Sequence, residues 1–203
     1  MMKPFDRVTG VAAPMMAPNV DTDVIMPKTF LKGVDRSGLR EGAFNLLRFN
    51  AGKPNPDFVL NQDGYRDAHF LVVGPNFGCG SSREHAVWGL QQLGIRALIG
   101  TSFAGIFNDN CANNGLLTIS LDHKTLGELA TVVADPTRND LAVDLQDQTI
   151  SFDRGTRSIP FEIESSKKEA FLTGRDLIGS TLAYADDIRE FEGRHRAVNP
   201  WMF

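Results

Sequence analysis

Cysteine is nearly missing from this chain. Its 203 residues hold two, Cys79 and Cys111. Two thiols make no disulfide framework, and no Cys-x-x-Cys or His-x-x-x-His pair offers a metal site. An iron–sulfur cubane takes three or four thiolates, so this chain cannot hold one unaided. Clusters of lysine and arginine interleaved with aromatics are also wanting. With a net charge of −4, that argues against general nucleic-acid binding. No apolar run approaches the ~20 residues needed to span a bilayer. The start, Met1-Met2-Lys3-Pro4-Phe5-Asp6, has no apolar stretch after its charge and does not read as a secretory leader. Cytoplasmic residence is the default expectation. Internal repeats and low-complexity tracts are lacking too. The rest is ordinary: 42% hydrophobic and 23% charged, enough for one sizeable core or two small ones.

Against this background one stretch stands out, Asn76-Phe77-Gly78-Cys79-Gly80-Ser81-Ser82-Arg83-Glu84-His85. The apolar run before it, His69 to Gly74, reads as a buried strand. After it, Ala86, Val87, Leu90 and Leu93 recur at helical spacing. The decapeptide is therefore a strand-to-helix turn carrying two glycines, which permit positive φ and a close approach to a ligand. The first turn of a helix has unpaired N–H groups and the positive end of the dipole, a seat for an anion. Two readings meet here. Ser81 or Ser82 caps the helix with Glu84 closing a capping box, or the turn is a site that gathers two hydroxyls, a guanidinium, a carboxylate and an imidazole. Gly78, Gly80, Arg83 and His85 favour the site, and capping and catalysis are compatible.

Elsewhere the chain reads as alternating elements. Val8 to Ala13 is a strand stopped by Pro14, and Pro18 to Asp23 is a turn in which Asp21 and Asp23 stabilise their own backbone. Glu41 to Phe49 has a short helical pattern, and Phe58 to Leu60 is a brief strand. Ile95 to Gly100 is a strand, a helix opens at Thr101-Ser102, and Leu116 to Ile119 follows as a strand. Strand–helix–strand–helix–strand implies a parallel α/β unit with right-handed crossovers. Ligands in such sheets sit beyond the carboxyl ends of the strands, where the Gly78–Arg83 turn falls. Asp122 opens a helix to Val133. Leu141 to Leu145 and Thr149 to Phe152 alternate like a hairpin, with a further strand from Ser158 to Ile163. A helix from Ser165 to about Thr173 comes next, and Leu177 to Phe191 ends the fold. Asn108, Asn110, Asn113 and Asn114 read as caps and turns, Cys111 as a small core residue. Arg189 to Arg196, with His195, reads as a solvated charged tail.

The Gly-Cys-Gly-Ser-Ser-Arg-Glu-His string closely resembles the swivelling-domain signature of the aconitase family of hydro-lyases. With Asn19-Val20-Asp21-Thr22-Asp23-Val24-Ile25-Met26-Pro27 it is similar in particular to the small-subunit branch, bacterial 3-isopropylmalate dehydratase. The resemblance runs through nearly the whole chain and is densest from Gly10 to Leu117. It implies a three-layer β/β/α swivelling domain with a partly parallel central sheet, spanning residues 1–203 as one domain. Residues 28–67 are then a partly mobile excursion carrying substrate and partner contacts.

The resemblance also implies roles. Ser81 is the base or acid at carbon, and Arg83 binds a substrate carboxylate and supports the serine alkoxide. Asp23 faces the catalytic turn and orients Arg83 or a site hydroxyl. Gly80, Ser82, Thr29, Phe30, Leu31 and Arg36 contact substrate, with Phe30 and Leu31 walling an isopropyl group; ordinary packing is the other reading of those two, and solvation of Arg36. Gly78, Cys79, Glu84 and His85 shape and brace the turn. No metal is bound by this chain; a [4Fe–4S] cluster is expected on a large subunit, which is the implied partner, with a small hydroxy-dicarboxylate as substrate. Family members typically carry Thr-Asp-His where this chain has Thr22-Asp23-Val24, a change that fits a less polar substrate. Two rivals stand beside this reading: the same chemistry on citramalate or homoaconitate, and a non-catalytic carboxylate-binding regulator. A serine hydrolase is rejected, because Gly80-Ser81-Ser82-Arg83-Glu84 lacks the last glycine of a nucleophile elbow.

Overall fold

Two kinds of strand pairing meet on a single long strand. The computed structural model describes residues 2–31 and 36–202, so positions 32–35 of the expected excursion, including Gly33, lie outside the described residues. The elements in chain order are β1 (Arg7–Met15), α1 (Thr22–Ile25), a 3₁₀ turn (Lys28–Phe30), α2 (Leu39–Gly42), α3 (Asn45–Arg48), β2 (Phe49–Asn50) and β3 (Lys53–Pro54). A second 3₁₀ turn (Val59–Asn61) leads into β4 (Phe70–Val73), α4 (Glu84–Leu93), β5 (Ala97–Gly100), α5 (Gly105–Asn114), β6 (Leu117–Ser120) and α6 (His123–Val133). The chain ends with β7 (Asp140–Asp144), β8 (Thr149–Phe152), β9 (Arg157–Pro160), α7 (Ser165–Thr173), α8 (Leu177–Leu182), α9 (Ala185–Val198) and a 3₁₀ turn (Pro200–Met202).

The seven-stranded sheet has the order β6-β5-β4-β1-β7-β8-β9. Arg7 to Val11 of β1 pair antiparallel with β7, whereas Ala12 to Met15 pair parallel with β4. Pro14, expected to stop the strand, lies inside it opposite Val72. By that point β1 has only β4 beside it, and a proline is tolerated on a strand with one free edge. The strands β4, β5 and β6 are parallel. Both β4 and β5 are buried at every position, which explains their unbroken apolar runs. At the sheet edge, β6 alternates buried Leu117 and Ile119 with the more open Thr118 and Ser120. Leu71, Val73 and Leu98 face one core, shared with Val87 and Leu90 of α4 and Phe107 of α5. Phe70, Val72, Ala97 and Ile99 face a second, shared with Leu126 and Leu129 of α6 and with Val143, Ile150 and Phe152 of the antiparallel half. The result is a mixed α/β fold in three layers around a curled, partly parallel sheet.

The described part of residues 28–67 packs on the first core through Leu39, Ala43, Phe44, Leu60 and Tyr65. The buried Tyr65 hydroxyl reaches the carbonyls of Val133 and Ala134, at 3.0 and 2.8 Å. Two expectations fail in this region. The helix expected from Glu41 to Phe49 is split at Phe44, whose left-handed φ of 51° breaks the ladder while its ring stays buried. The strand expected at Phe58–Leu60 is a 3₁₀ turn. Further on, α5 starts at Gly105 rather than Thr101, because Phe103 forms a parallel bridge with Phe77 and holds residues 101–104 extended.

Candidate active site

The site is made by continuing the parallel pairing of β1 and β4 past the ends of both strands. The Asn19 amide donates to the Pro75 carbonyl at 2.9 Å, the Gly78 amide to Val20 at 2.8 Å, and the Thr22 amide to Cys79 at 2.8 Å. Residues 19–22 thus run alongside 75–79 at the carboxyl edge of the sheet. Three features fix the turn that follows. Thr22 is buried, and its hydroxyl donates to the Ser81 carbonyl at 2.8 Å. Gly78, at φ 77°, lies so close to the Phe107 ring that a Cβ there would overlap it. Gly80, at φ 90°, lets the chain leave the strand direction and turn toward α4.

This path brings Asp23 against Arg83. The guanidinium Nη1 donates to Asp23 Oδ1 and forms an ion pair with it. The arginine side chain is 12% exposed and the aspartate 45%, so the cation is walled in and its partner faces solvent. The hydrogen bond from Arg83 holds the Asp23 carboxyl below its ordinary value of 3.8; burial pushes the other way by less, and the Arg83 charge adds a smaller lowering. Asp23 takes one of the five N–H donors of that guanidinium. The other aspartate of the pair does local work, because Asp21 Oδ1 accepts from the Val24 amide at 2.7 Å and caps α1. Of the two acidic residues read as an Asx turn, only Asp21 fits that description.

The capping box does not form. Arg83 itself occupies the N-cap of α4 with no side-chain cap bond, because Ser81 and Ser82 are both exposed on the turn. The first turn of α4 is thus left without a side-chain acceptor. Glu84 turns away and accepts from Asn114 Nδ2 at 2.7 Å. Asn114 also accepts from Trp88 Nε1 at 2.8 Å, and its backbone carbonyl accepts from Gln91 Nε2 at 2.6 Å. One asparagine at the end of α5 therefore clamps three residues of α4. His85 packs on the Trp88 ring with centroids 4.7 Å apart. Cys79 is half-buried beside the turn, and Cys111 is fully buried, which pushes its thiol well up.

Other residues singled out from the sequence lie on the segment after α1 and beside α4. Thr29 is exposed, while Phe30 and Leu31 are half-buried against the first core. Phe30 occupies the space a Cβ on Gly42 would need. The Arg36 guanidinium lies 4.3 Å over the Trp88 ring, and its carbonyl accepts from Gln92. Arg36 also lines a cleft of about 920 Å³ with Lys3, Arg7, His69 and Arg96, at the amino-terminal edge of the parallel strands. The structure gathers Asp23, Cys79, Gly80, Ser81 and Arg83 on an open surface and leaves Arg36 on the flank of α4. Among the described residues, no three of His, Cys, Asp and Glu converge as metal ligands. With two cysteines, one of them fully buried, the described residues do not offer a cubane cluster its three or four thiolates.

Comparison with known proteins places the chain in a family. A family model described as the aconitase C-terminal domain matches residues 2–124. A second, described as the C-terminal domain of the 3-isopropylmalate dehydratase small subunit, matches residues 178–203. A 3-isopropylmalate dehydratase small subunit of Mannheimia succiniciproducens is 56% identical over 99% of both chains. The chain belongs to the 3-isopropylmalate dehydratase small-subunit family. Another relative of that description, from Dinoroseobacter shibae, is 48% identical over 99% of this chain and 100% of its own. The crystal structure of a 3-isopropylmalate dehydratase from Methanocaldococcus jannaschii superposes with a TM-score of 0.63 at 25% identity, over 93% of this chain and 98% of that one.

Two residues important to the geometry of this small-subunit site escaped sequence reasoning. Thr22 sits between two aspartates and reads as turn chemistry, yet it is 1% exposed. Asn114 is one of four asparagines in a row of turn signals, and nothing local separates it from the others. The available signal for Thr22 was its place in Asp-Thr-Asp at the start of α1, where successive helical residues point to different sides. For Asn114 we find none.

Proposed function

We propose that this chain is the small subunit of a 3-isopropylmalate dehydratase. That enzyme is a hydro-lyase interconverting 2-isopropylmalate and 3-isopropylmalate by dehydration and rehydration in leucine biosynthesis, and its setting here is the cytoplasm. One observation carries the mechanistic reading: Arg83, fixed by Asp23, stands at the end of a glycine turn that exposes Ser81 and has its backbone anchored by Thr22.

The reaction removes a weakly acidic C–H proton beside a carboxylate. Arg83 takes that carboxylate through guanidinium donors not used by Asp23. The Ser81 oxygen, as alkoxide, receives the proton. A serine is a poor base unless its anion is stabilised, and the Arg83 charge and the amides at the uncapped start of α4 provide that. The same groups stabilise the extra negative charge that develops on the substrate carboxylate. On the return path the Ser81 hydroxyl gives the proton back. Val24, Phe30 and Leu31 supply the apolar side for an isopropyl group, where each methylene contributes roughly 1–3 kcal/mol of discrimination.

A large subunit holds the [4Fe–4S] cluster in this proposal. Its chemistry is that of a Lewis acid toward the departing hydroxyl.

The test is steady-state turnover by the chain mixed with its cognate large subunit. The proposal expects 2- and 3-isopropylmalate to interconvert with a higher kcat/KM than citramalate or homoaconitate. It expects no turnover by the chain alone. Preference for another diacid overturns the substrate, and activity without the large subunit overturns the division of labour. Carboxylate binding by the chain alone, without turnover in the pair, points to a regulator instead.

A further inference from the structure

The carboxyl-terminal segment has an apolar surface that its own fold does not use. No residue of α9 is buried. On α8, Ile178 is 71% exposed and Leu182 64%. On α9, Ile188, Phe191 and Val198 are exposed, and Trp201 follows in the last turn at 76%. Ile188, Phe191, His195 and Val198 recur with a period near 3.5, so they share one stripe of the helix. Along that stripe Phe191 and His195 stack, with rings 5.5 Å apart and 11° from parallel. Charged residues on α9 pair with each other as Asp186–Arg189 and Glu190–Arg194. The arrangement is an amphipathic helix on which Ile188, Phe191 and Val198 stay exposed.

We propose that residues 177–202 form an arm that docks on the large subunit, separate from the surface around Ser81. This inference rests on the two-subunit reading above. Three observations support docking on the large subunit. The segment has a family match of its own, described by the small subunit it belongs to, and it is discontinuous with the match over residues 2–124. The arm exposes large aromatics, the side chains that serve as anchors when an amphipathic helix docks in a partner's groove. The area is also sufficient. Tyr184, Phe191 and Trp201, at 64%, 58% and 76% exposure, alone present on the order of 400 Å², and the aliphatic residues bring the arm toward the ~800 Å² per partner of a specific interface. The arm leaves the body at Asp176, whose carboxylate caps α8 through the Gly179 amide at 2.7 Å. Asp176 lines the cleft at the amino-terminal edge of the strands, the opposite edge from Ser81. Docking there adds affinity without entering the site.

The experiment titrates the full-length chain and two variants, Phe191→Asp and Trp201→Ser, against the cognate large subunit. It reads affinity by calorimetry and kcat at saturating large subunit. The arm account expects each variant to weaken association by about 30-fold or more, the effect of one hot-spot residue. It also expects kcat at saturation and the melting temperature of the isolated variant to stay near wild type. Affinity within threefold of wild type in either folded variant overturns it. So does a wild-type chain that dimerises alone through this face, if Phe191→Asp separates the dimer and leaves large-subunit affinity intact. Should the wild-type pair associate but fail to turn over isopropylmalate, the functional reading falls while the affinities still decide the arm.

Discussion

Asp23 and Arg83 are sixty residues apart in the chain and in direct contact in the fold. The contact exists because residues 19–22 zip onto 75–79, which extends the β1–β4 pairing beyond the sheet proper. An arginine with a 12% exposed side chain needs such a partner, since a walled-in cation without one is costly. The pair therefore stabilises the fold and aims the guanidinium at once.

A double-mutant cycle separates those two roles. Arg83→Lys keeps the charge and loses the planar fork. In the assembled enzyme it should lower kcat/KM by about 10²–10³, the cost of losing one preorganised donor. Asp23→Asn should cost about tenfold, and the double variant should be no slower than Arg83→Lys alone, since the aspartate acts through the arginine.

Acid should break the ion pairs late. The carboxyl of Asp23 lies below 3.8 chiefly through its hydrogen bond from Arg83. That of Asp153 is lowered in the same way by Arg138, whose Nε and Nη2 donate at 2.9 and 2.7 Å. A depressed folded value means the stabilisation is whole above the unfolded value and is lost as pH falls through the folded one. Urea unfolding of wild type and Asp153→Asn should therefore differ by a constant amount from pH 5 to 8, and the gap should close only below about pH 3.8.

The two glycines of the turn should respond differently to alanine. At Gly78 the methyl overlaps the Phe107 ring in a left-handed backbone, and the expected loss is about 3 kcal/mol from strain and overpacking together. At Gly80 the nearest atom to a new Cβ is 3.4 Å away, so only the backbone strain of about 1–2 kcal/mol applies. Equilibrium unfolding ranks them. Gly80→Ala should retain its fold and still lose activity, because the turn holding Ser81 shifts.

Thr22→Val keeps the shape and deletes the hydroxyl that holds the Ser81 carbonyl. It leaves a carbonyl short of a donor and should cost about 1–3 kcal/mol. For a chain of this length that is a drop of roughly 2–4 °C in Tm per kcal/mol. Thr22→Ser should recover most of the loss.

The layered α/β plan was legible because β4 and β5 are buried on both faces and therefore read as apolar runs, while α4 and α6 carry spaced apolar residues. Asp122 signalled the start of α6 and caps it through the amides of Lys124 and Thr125. Pro14 misled, because whether a strand tolerates proline depends on its neighbours, and these come from β4 and β7, far along the chain. Phe44 misled for a like reason, since tertiary burial of its ring keeps it in a left-handed backbone. In the site, the glycine turn was legible from composition and the nearness of Asp23 to the turn only from family resemblance. The serine cap was a sound local inference, but the chain places Arg83 at the cap and sends Glu84 to Asn114, a contact across two helices that no short window contains.

The most direct test concerns Ser81 itself. The chain carrying Ser81→Ala should fold, bind the large subunit as wild type does, and turn over isopropylmalate at least about 10³-fold more slowly, as expected when a general base is removed. Turnover within a few-fold of wild type in that assembled variant would contradict the account.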